Sequence, residues 1–313
     1  MQTAVRLMED ARTVTVLCHV QPDADTIGSG LALAIALDRR GVSPQVAFAA
    51  PSSLPESMLD LPGLHFITAA DDVRSDVDLV VTVDAGSRGR LGELGNRLDG
   101  AVSVVIDHHR SNTRYGTHHV IDPAAESTTA VLTALFDEWG VELDRDLAHC
   151  LFAGLVTDTG SFRWVRPGSH RLAERLLATG IDGAAITRRL LDTHPFGWLP
   201  MLGAVLGSAQ LFPDAAGGRG MVCAVVRLDD SRGLRPEEIE SVVDIVRTTA
   251  EAEVAAVFKQ NRAGWAVSLR AKQDVDVSLV ATALGGGGHR LSAGYTATGT
   301  IEDNIDALVA ALE

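Results

Sequence analysis

In the first half of this chain, three β-branched apolar runs each break off at acidic or imidazole side chains. Residues 13–20 (TVTVLCHV) lead into His19, Asp23 and Asp25, residues 78–83 (DLVVTV) stop at Asp84, and residues 102–106 (VSVVI) stop at Asp107, His108 and His109. Uninterrupted apolar runs of this length read as strands buried on both faces. Between them, residues 26–40 (TIGSGLALAIALDRR) carry a strongly apolar helical pattern that ends at Gly41, and residues 45–49 read as a further strand. Residues 127–139 and 147–156 read as helices, with Ser127 or Thr128 as the N-cap of the first. Strands alternating with helices specify an α/β fold, a mostly parallel sheet with helices on both faces. Open sheets of that kind hold ligands outside the carboxyl ends of their strands. The acidic and imidazole groups therefore converge on one edge, where the second of those helices adds Asp158 from the segment GLVTDTG.

One aspartate at a strand end is commonly a turn former, and one His-His pair is commonly a solvated loop, as expected for His118-His119. A purely structural explanation has to cover all of these groups at once, which makes the combination far more specific than its parts. Unpaired, so many carboxylates would repel one another, and burying them would be costly. Divalent cations relieve both problems. Carboxylate oxygen mixed with imidazole nitrogen, without a thiolate set, suits manganese, cobalt or magnesium better than a structural zinc. Cys18, Cys150 and Cys223 are odd in number and far apart, so a disulfide framework is not expected and a reducing cytoplasm is the natural compartment.

The length of 313 residues favours two domains. The character changes near residues 193–215, where Pro195, Pro200 and Pro213 bracket a short segment. We expect a catalytic domain over 1–192, a linker over 193–210, and a smaller α+β domain over 211–313. In the latter, 221–227, 254–260 and 265–271 read as strands and 236–249 and 277–284 as helices; a glycine run at 285–288 follows. No apolar stretch approaches the ~20 residues a membrane span needs, and residues 1–12 do not read as a signal peptide. The formal charge of −14, from 41 acidic and 27 basic residues, disfavours a partner gripped along an extended phosphate backbone. A small anion held by metals and a few cations remains compatible with it.

His19-x-x-x-Asp23-x-Asp25, Asp84, Asp107-His108-His109 and Asp158 resemble the motifs of the DHH phosphoesterase superfamily. Gly285-Gly-Gly-Gly-His289-Arg290-Leu-Ser-Ala-Gly294 resembles the signature of the DHHA1 substrate domain. The likeness spans about residues 10 to 300, and the length is similar to the compact nanoRNase type. Two departures, Ala24 where glycine is common and Ser292 where alanine is usual, remove no ligand.

The resemblance implies two divalent ions, manganese first. His19 and Asp23 would hold one ion, Asp25, His108 and Asp158 the other, with Asp84 bridging. Asp107 would orient an imidazole, and His109 would contact the scissile phosphate or protonate the leaving oxygen. Gly286, Gly287 and Gly288 would let backbone N–H groups approach an anion, beside His289 and Arg290. Arg270 and Lys272 would grip a second phosphate, and Asn112 would touch substrate or cap its loop. Arg90 is a weaker candidate. The second domain would face the metal site across a cleft. The implied substrates are oligoribonucleotides of two to five residues, 3′-phosphoadenosine 5′-phosphate, and cyclic or linear di-adenylate. A homodimer is expected. Pyrophosphatases of the same superfamily lack the glycine–histidine signature, RecJ-type exonucleases need more chain, and a non-catalytic sensor would be expected to lose a carboxylate.

Overall fold

A computed structural model describes residues 1–313, the His289 side chain excepted. The chain forms two compact units, Met1–Thr193 and His194–Glu313. In the first, helix α1 (Gln2–Asp10), strand β1 (Thr13–Leu17), helix α2 (Ala24–Asp38) and strands β2 (Ser43–Ala47), β3 (Leu79–Val83), β4 (Ser103–Asp107) and β5 (His118–Ile121) are followed by helices α3 (Thr128–Trp139), α4 (Arg145–Asp158), α5 (Ser169–Leu177) and α6 (Gly183–Leu191). The five strands are all parallel, in the order β2-β1-β3-β4-β5.

That order creates a topological switch between β1 and β3. The chain leaves β1 toward β2 on one side and leaves β3 toward β4 on the other. A crevice therefore opens beyond their carboxyl ends, where this architecture binds ligands. Helix α2 is apolar all round, and every residue from Ala24 to Leu37 is buried between the sheet and helices α3 and α4. The opposite face of the sheet is covered by the 3₁₀ segment Arg88–Leu98, whose Leu91, Leu94 and Leu98 pack on Leu17 and Val80.

His118 and His119, expected in a solvated loop, belong to β5 and pair with Val104 and Val105. Four residues of which only Val120 is buried make too weak a pattern to announce a strand. Here the sheet's neighbour β4 supplies the backbone partners, and Val120 alone plugs into the core.

In the second unit, helix α7 (Trp198–Gly207), strand β6 (Gln210–Phe212), a helical turn α8 (Ala215–Gly218), strand β7 (Met221–Val226), short helices α9 (Pro236–Glu240) and α10 (Val242–Val246), strands β8 (Val254–Asn261) and β9 (Gly264–Ala271), helix α11 (Val277–Ala283), strands β10 (Gly287–His289) and β11 (Ser292–Ala297) and helix α12 (Ile301–Ala311) build a mixed sheet ordered β10-β11-β9-β8-β7-β6. The segment 193–210 is more than a linker. It holds α7, whose Met201 and Val205 are buried against Val222 and Ala224 of β7. Pro200 lies in the first turn of α7, where a missing N–H breaks no intrahelical bond, so it does not punctuate the chain as expected. The helix expected over 236–249 divides at Ser241 into α9 and α10. Among the described residues, no helix is long and apolar enough to cross a membrane.

Candidate metal centre

Six of the sequence-selected side chains gather beyond the carboxyl ends of β1, β3 and β4. His19, Asp23 and Asp84 form one group and Asp25, His108 and Asp158 another; within each, the candidate ligand atoms lie within 4.8 Å of one another. Asp84 belongs to both neighbourhoods. Its carboxylate is 3.4 Å from His19 Nε2 and 3.6 Å from His108 Nε2, while His108 Nε2 is 3.3 Å from Asp158.

The surrounding hydrogen bonds orient these groups. His19 Nδ1 lies 2.8 Å from the Val20 carbonyl, which orients the ring so that Nε2 faces Asp23, 3.3 Å away, and Asp84. Asp23 caps α2, accepting from the N–H groups of Asp25 and Thr26. Asp25, wholly buried, accepts from the N–H groups of Thr128 (2.6 Å) and Thr129 (2.9 Å) at the N-terminus of α3. The Thr128 hydroxyl donates to Asp84 at 2.9 Å. Thr128, selected in the sequence only as a cap, thus ties both neighbourhoods to one helix end. No local pattern announces this, since Thr128 and Asp25 lie 103 residues apart.

The electrostatics are those of crowded, desolvated carboxylates. Burial, then the neighbouring Asp23 charge, push Asp25 up to about 6. Burial and Asp25 do the same to Asp84, also to about 6. Asp158 is raised by burial and by Asp25 and Asp84. Burial alone would lower His19, but the charges and hydrogen bonds of Asp23 and Asp84 push it up to about 10. Four clustered carboxylates and two imidazoles with free edges fit a pair of divalent oxygen- and nitrogen-preferring cations, whose charge would offset the repulsion that raises these groups.

His109 also gathers with Asp84 and His108, its Nδ1 3.6 Å from Asp84, but its nearest partner is Asp107. Asp107 is fully buried and accepts from His109 Nδ1 at 2.5 Å and from the backbone N–H groups of His108 and His109. Burial would raise Asp107, but its bonds to His109 and Asn112 outweigh that and hold it below the usual carboxylate range. The Asn112 amide donates to Asp107 (2.5 Å) and to the Ala85 carbonyl (3.2 Å), and its oxygen accepts from Arg114 N–H. Asn112 thereby braces the loop. Arg90 reaches within 3.2 Å of His19 Nδ1 and stabilises the Asp23 charge, a stronger position than its sequence context suggests.

Residues 13–155 match the DHH family, N-terminal domain, and residues 209–313 match the DHHA1 domain. The chain belongs to the DHH/DHHA1 family. It is similar to the bifunctional oligoribonuclease and PAP phosphatase NrnA of Thermus thermophilus, 29% identical over 294 residues that cover 91% of this chain and 84% of that protein. It is also similar to the protein of the same description from Bacillus subtilis, at 25% identity over 96% of this chain and 94% of the relative. An exopolyphosphatase-related protein from Bacteroides fragilis shares the fold, with a TM-score of 0.91 at 22% identity over 100% of this chain and 96% of that one.

In the DHHA1 domain the sequence-selected residues separate. Arg270 on β9 pairs with Ser292 on β11, which pairs with His289 on β10, so the three share one row of the sheet; the His289 side chain lies outside the described residues. Arg270 donates to its neighbouring Leu269 carbonyl, and burial lowers its affinity for its proton. Lys272 is placed elsewhere. Its exposed ammonium donates to the carbonyls of Thr249 and Ala250, closing the loop after α10. Arg290 is exposed in the β10–β11 turn. The glycine run has packing reasons of its own: a Cβ on Gly286 would lie 2.1 Å from the Gly294 carbonyl oxygen, and one on Gly288 2.5 Å from Ala293 Cα. Gly287 has open space and sits on the outermost strand of the sheet.

Proposed function

We propose that this chain is a divalent-metal-dependent phosphodiesterase and phosphatase that hydrolyses short nucleotides to 5′-mononucleotides in the cytoplasm. Its substrates are oligoribonucleotides of two to five residues, 3′-phosphoadenosine 5′-phosphate, and linear or cyclic di-adenylate. That the chain is a phosphoester hydrolase rests on its family. The finer reading is carried by the shared position of Asp84 between two His/Asp groups. His19, Asp23 and Asp84 would hold one cation, and Asp84, Asp25, His108 and Asp158 the other, manganese being preferred. When bound, such a pair supplies Lewis acidity to the phosphoryl oxygens and activates the attacking water.

The remaining steps belong to the protein. Asp107 holds His109 by Nδ1 and orients it to contact the scissile phosphate or to donate a proton to the departing oxygen. The α3 N-terminus fixes Asp25 and offsets part of the burial that raises it, and the Val20 carbonyl orients the His19 ring. Arg270, Gly286, Gly287, Gly288, His289 and Arg290 would recognise the rest of the nucleotide. The DHHA1 domain favours this reading over a pyrophosphatase, and the complete ligand set favours it over a sensor.

The test is turnover with Mn²⁺ of pApA, cyclic di-AMP, 3′-phosphoadenosine 5′-phosphate, pyrophosphate and a long single-stranded RNA, assayed separately. Preferential hydrolysis of the short nucleotides is expected. Turnover of pyrophosphate alone, or of long RNA ahead of the dinucleotide, overturns the proposal.

A further inference from the structure

Helix α4 ends at Asp158, and the chain leaves it through three consecutive left-handed residues, Gly160 (φ +55), Ser161 (φ +58) and Phe162 (φ +63). For residues that carry a Cβ this conformation is disfavoured, and for a bulky aromatic it is rare. Strain of this kind persists only where the surroundings impose it, and it clusters at functional sites. Here the turn separates two aromatic rings. Phe162 goes inward, stacking on His170 at 5.5 Å and meeting Phe152 at 6.2 Å. Trp164 goes the other way. Its backbone N–H donates to the Thr159 carbonyl at 3.0 Å, and its ring folds over Gly160 so closely that a Cβ there would lie 2.2 Å from Trp164 Cζ3.

The indole nevertheless stays 51% exposed, the one exposed large aromatic of the first unit among the described residues. Arg163 beside it is exposed as well, and Arg166 is pinned by its bond to the Pro123 carbonyl at 2.8 Å. A half-exposed indole seated on Gly160, which stands two residues after Asp158 of the carboxylate cluster, and flanked by Arg163 and Arg166, has the makings of a stacking surface. Stacking on aromatic rings tolerates any base and suits single-stranded substrates. A core role does not account for the exposure, because burying the ring in place of Phe162 would have hidden far more apolar surface.

We propose that Trp164 is the stacking platform for a base of the nucleotide whose phosphate occupies the His/Asp centre, with Gly160 kept free of a side chain to seat the ring. Trp164 thus acts in specificity, and the inference rests on the hydrolase reading above. Two variants, Trp164→Ala and Trp164→Phe, are compared with the unsubstituted protein on pApA and on the same dinucleotide lacking its bases. Trp164→Ala should raise KM for pApA roughly 5- to 150-fold, the range that loss of one stacked base gives. It should leave the abasic counterpart unchanged, and Trp164→Phe should restore most of the loss. Equal losses on both substrates, or none, overturn the proposal. A second readout does not depend on turnover: adenosine 5′-monophosphate should quench tryptophan fluorescence of the unsubstituted protein, and Trp164→Phe should remove that component. Quenching that survives the substitution also overturns it. If the unsubstituted protein turns over neither dinucleotide, the hydrolase reading fails, while the quenching comparison still decides the role of Trp164.

Discussion

Asp84 leaves β3 with φ +58, a left-handed conformation that costs a residue with a Cβ about 1–3 kcal/mol. The bend turns its carboxylate between His19 and His108, and the Thr128 hydroxyl holds it there. His109 is held differently. Its Nδ1 is bonded to Asp107, and although burial would lower its pKa, the Asp107 bond and the Asp84 charge raise it above the ordinary imidazole value. These two residues should therefore fail in different ways. His109→Ala is expected to lower kcat on pApA about 10²–10⁴-fold, the usual worth of a positioned proton donor, with bound metal per chain unchanged by elemental analysis. Asp84→Ala is expected to lose metal. Metal loss in His109→Ala would place that histidine among the ligands instead.

At the scale of elements, the centre depends on how closely α2 approaches α4. A Cβ on Gly28 would lie 2.3 Å from the Cys150 carbonyl oxygen, and one on Gly154 would lie 2.4 Å from Asp25 Oδ1 and 2.6 Å from Thr129 Cγ2. Gly28 lets the backbones of α2 and α4 meet directly, and Gly154 leaves room for the Asp25 and Thr129 side chains. Overpacking such a contact costs about 1–3 kcal/mol. Gly28→Ala should lower thermal stability by that amount. Gly154→Ala should do so and also weaken metal binding, because it displaces Asp25 from the α3 N-terminus. Melting curves with and without Mn²⁺ separate the two, and a Gly154→Ala protein with unaltered metal affinity would contradict the coupling.

For the whole molecule, the formal charge of −14 becomes about −10 once two divalent cations are counted. The pH dependence of the metal-stripped protein follows from the centre. Asp25, raised to about 6 by burial and Asp23, and Asp84, raised to about 6 by burial and Asp25, stabilise the fold when protonated. That contribution is complete below about pH 4, the ordinary carboxylate value, and is lost as pH rises through 6. His19, raised to about 10, adds a contribution lost between about 6.5 and 10, in the same direction. The melting temperature of the metal-free protein should therefore fall from pH 5 to pH 8, the lowered His108 opposing part of the change. Added Mn²⁺ should raise it more at pH 8 than at pH 5. A metal-free melting temperature that climbs with pH would refute this account.

The residues of the centre were legible because a parallel sheet sends every strand's carboxyl end to one edge, so His19, Asp84 and His108 could be grouped from their places at strand ends. The elements with strong apolar periodicity, β1, β3, β4, α2 and α3, were legible for the same reason: burial writes itself into local pattern. What the pattern left out is set by partners distant in the chain. β5 exists because β4 offers it a ladder, and the helix inside 193–210 exists because β7 offers Met201 and Val205 a surface. Lys272 donates to the carbonyls of Thr249 and Ala250, and Asn112 to Asp107, although their residue types suggested anion contacts. The sequence by itself determined the chemistry of the centre, since ligand type and strand-end position are local properties. Only the tertiary structure decided which partners its cations and amides bond, because a hydrogen bond is claimed by whichever partner the fold brings within reach.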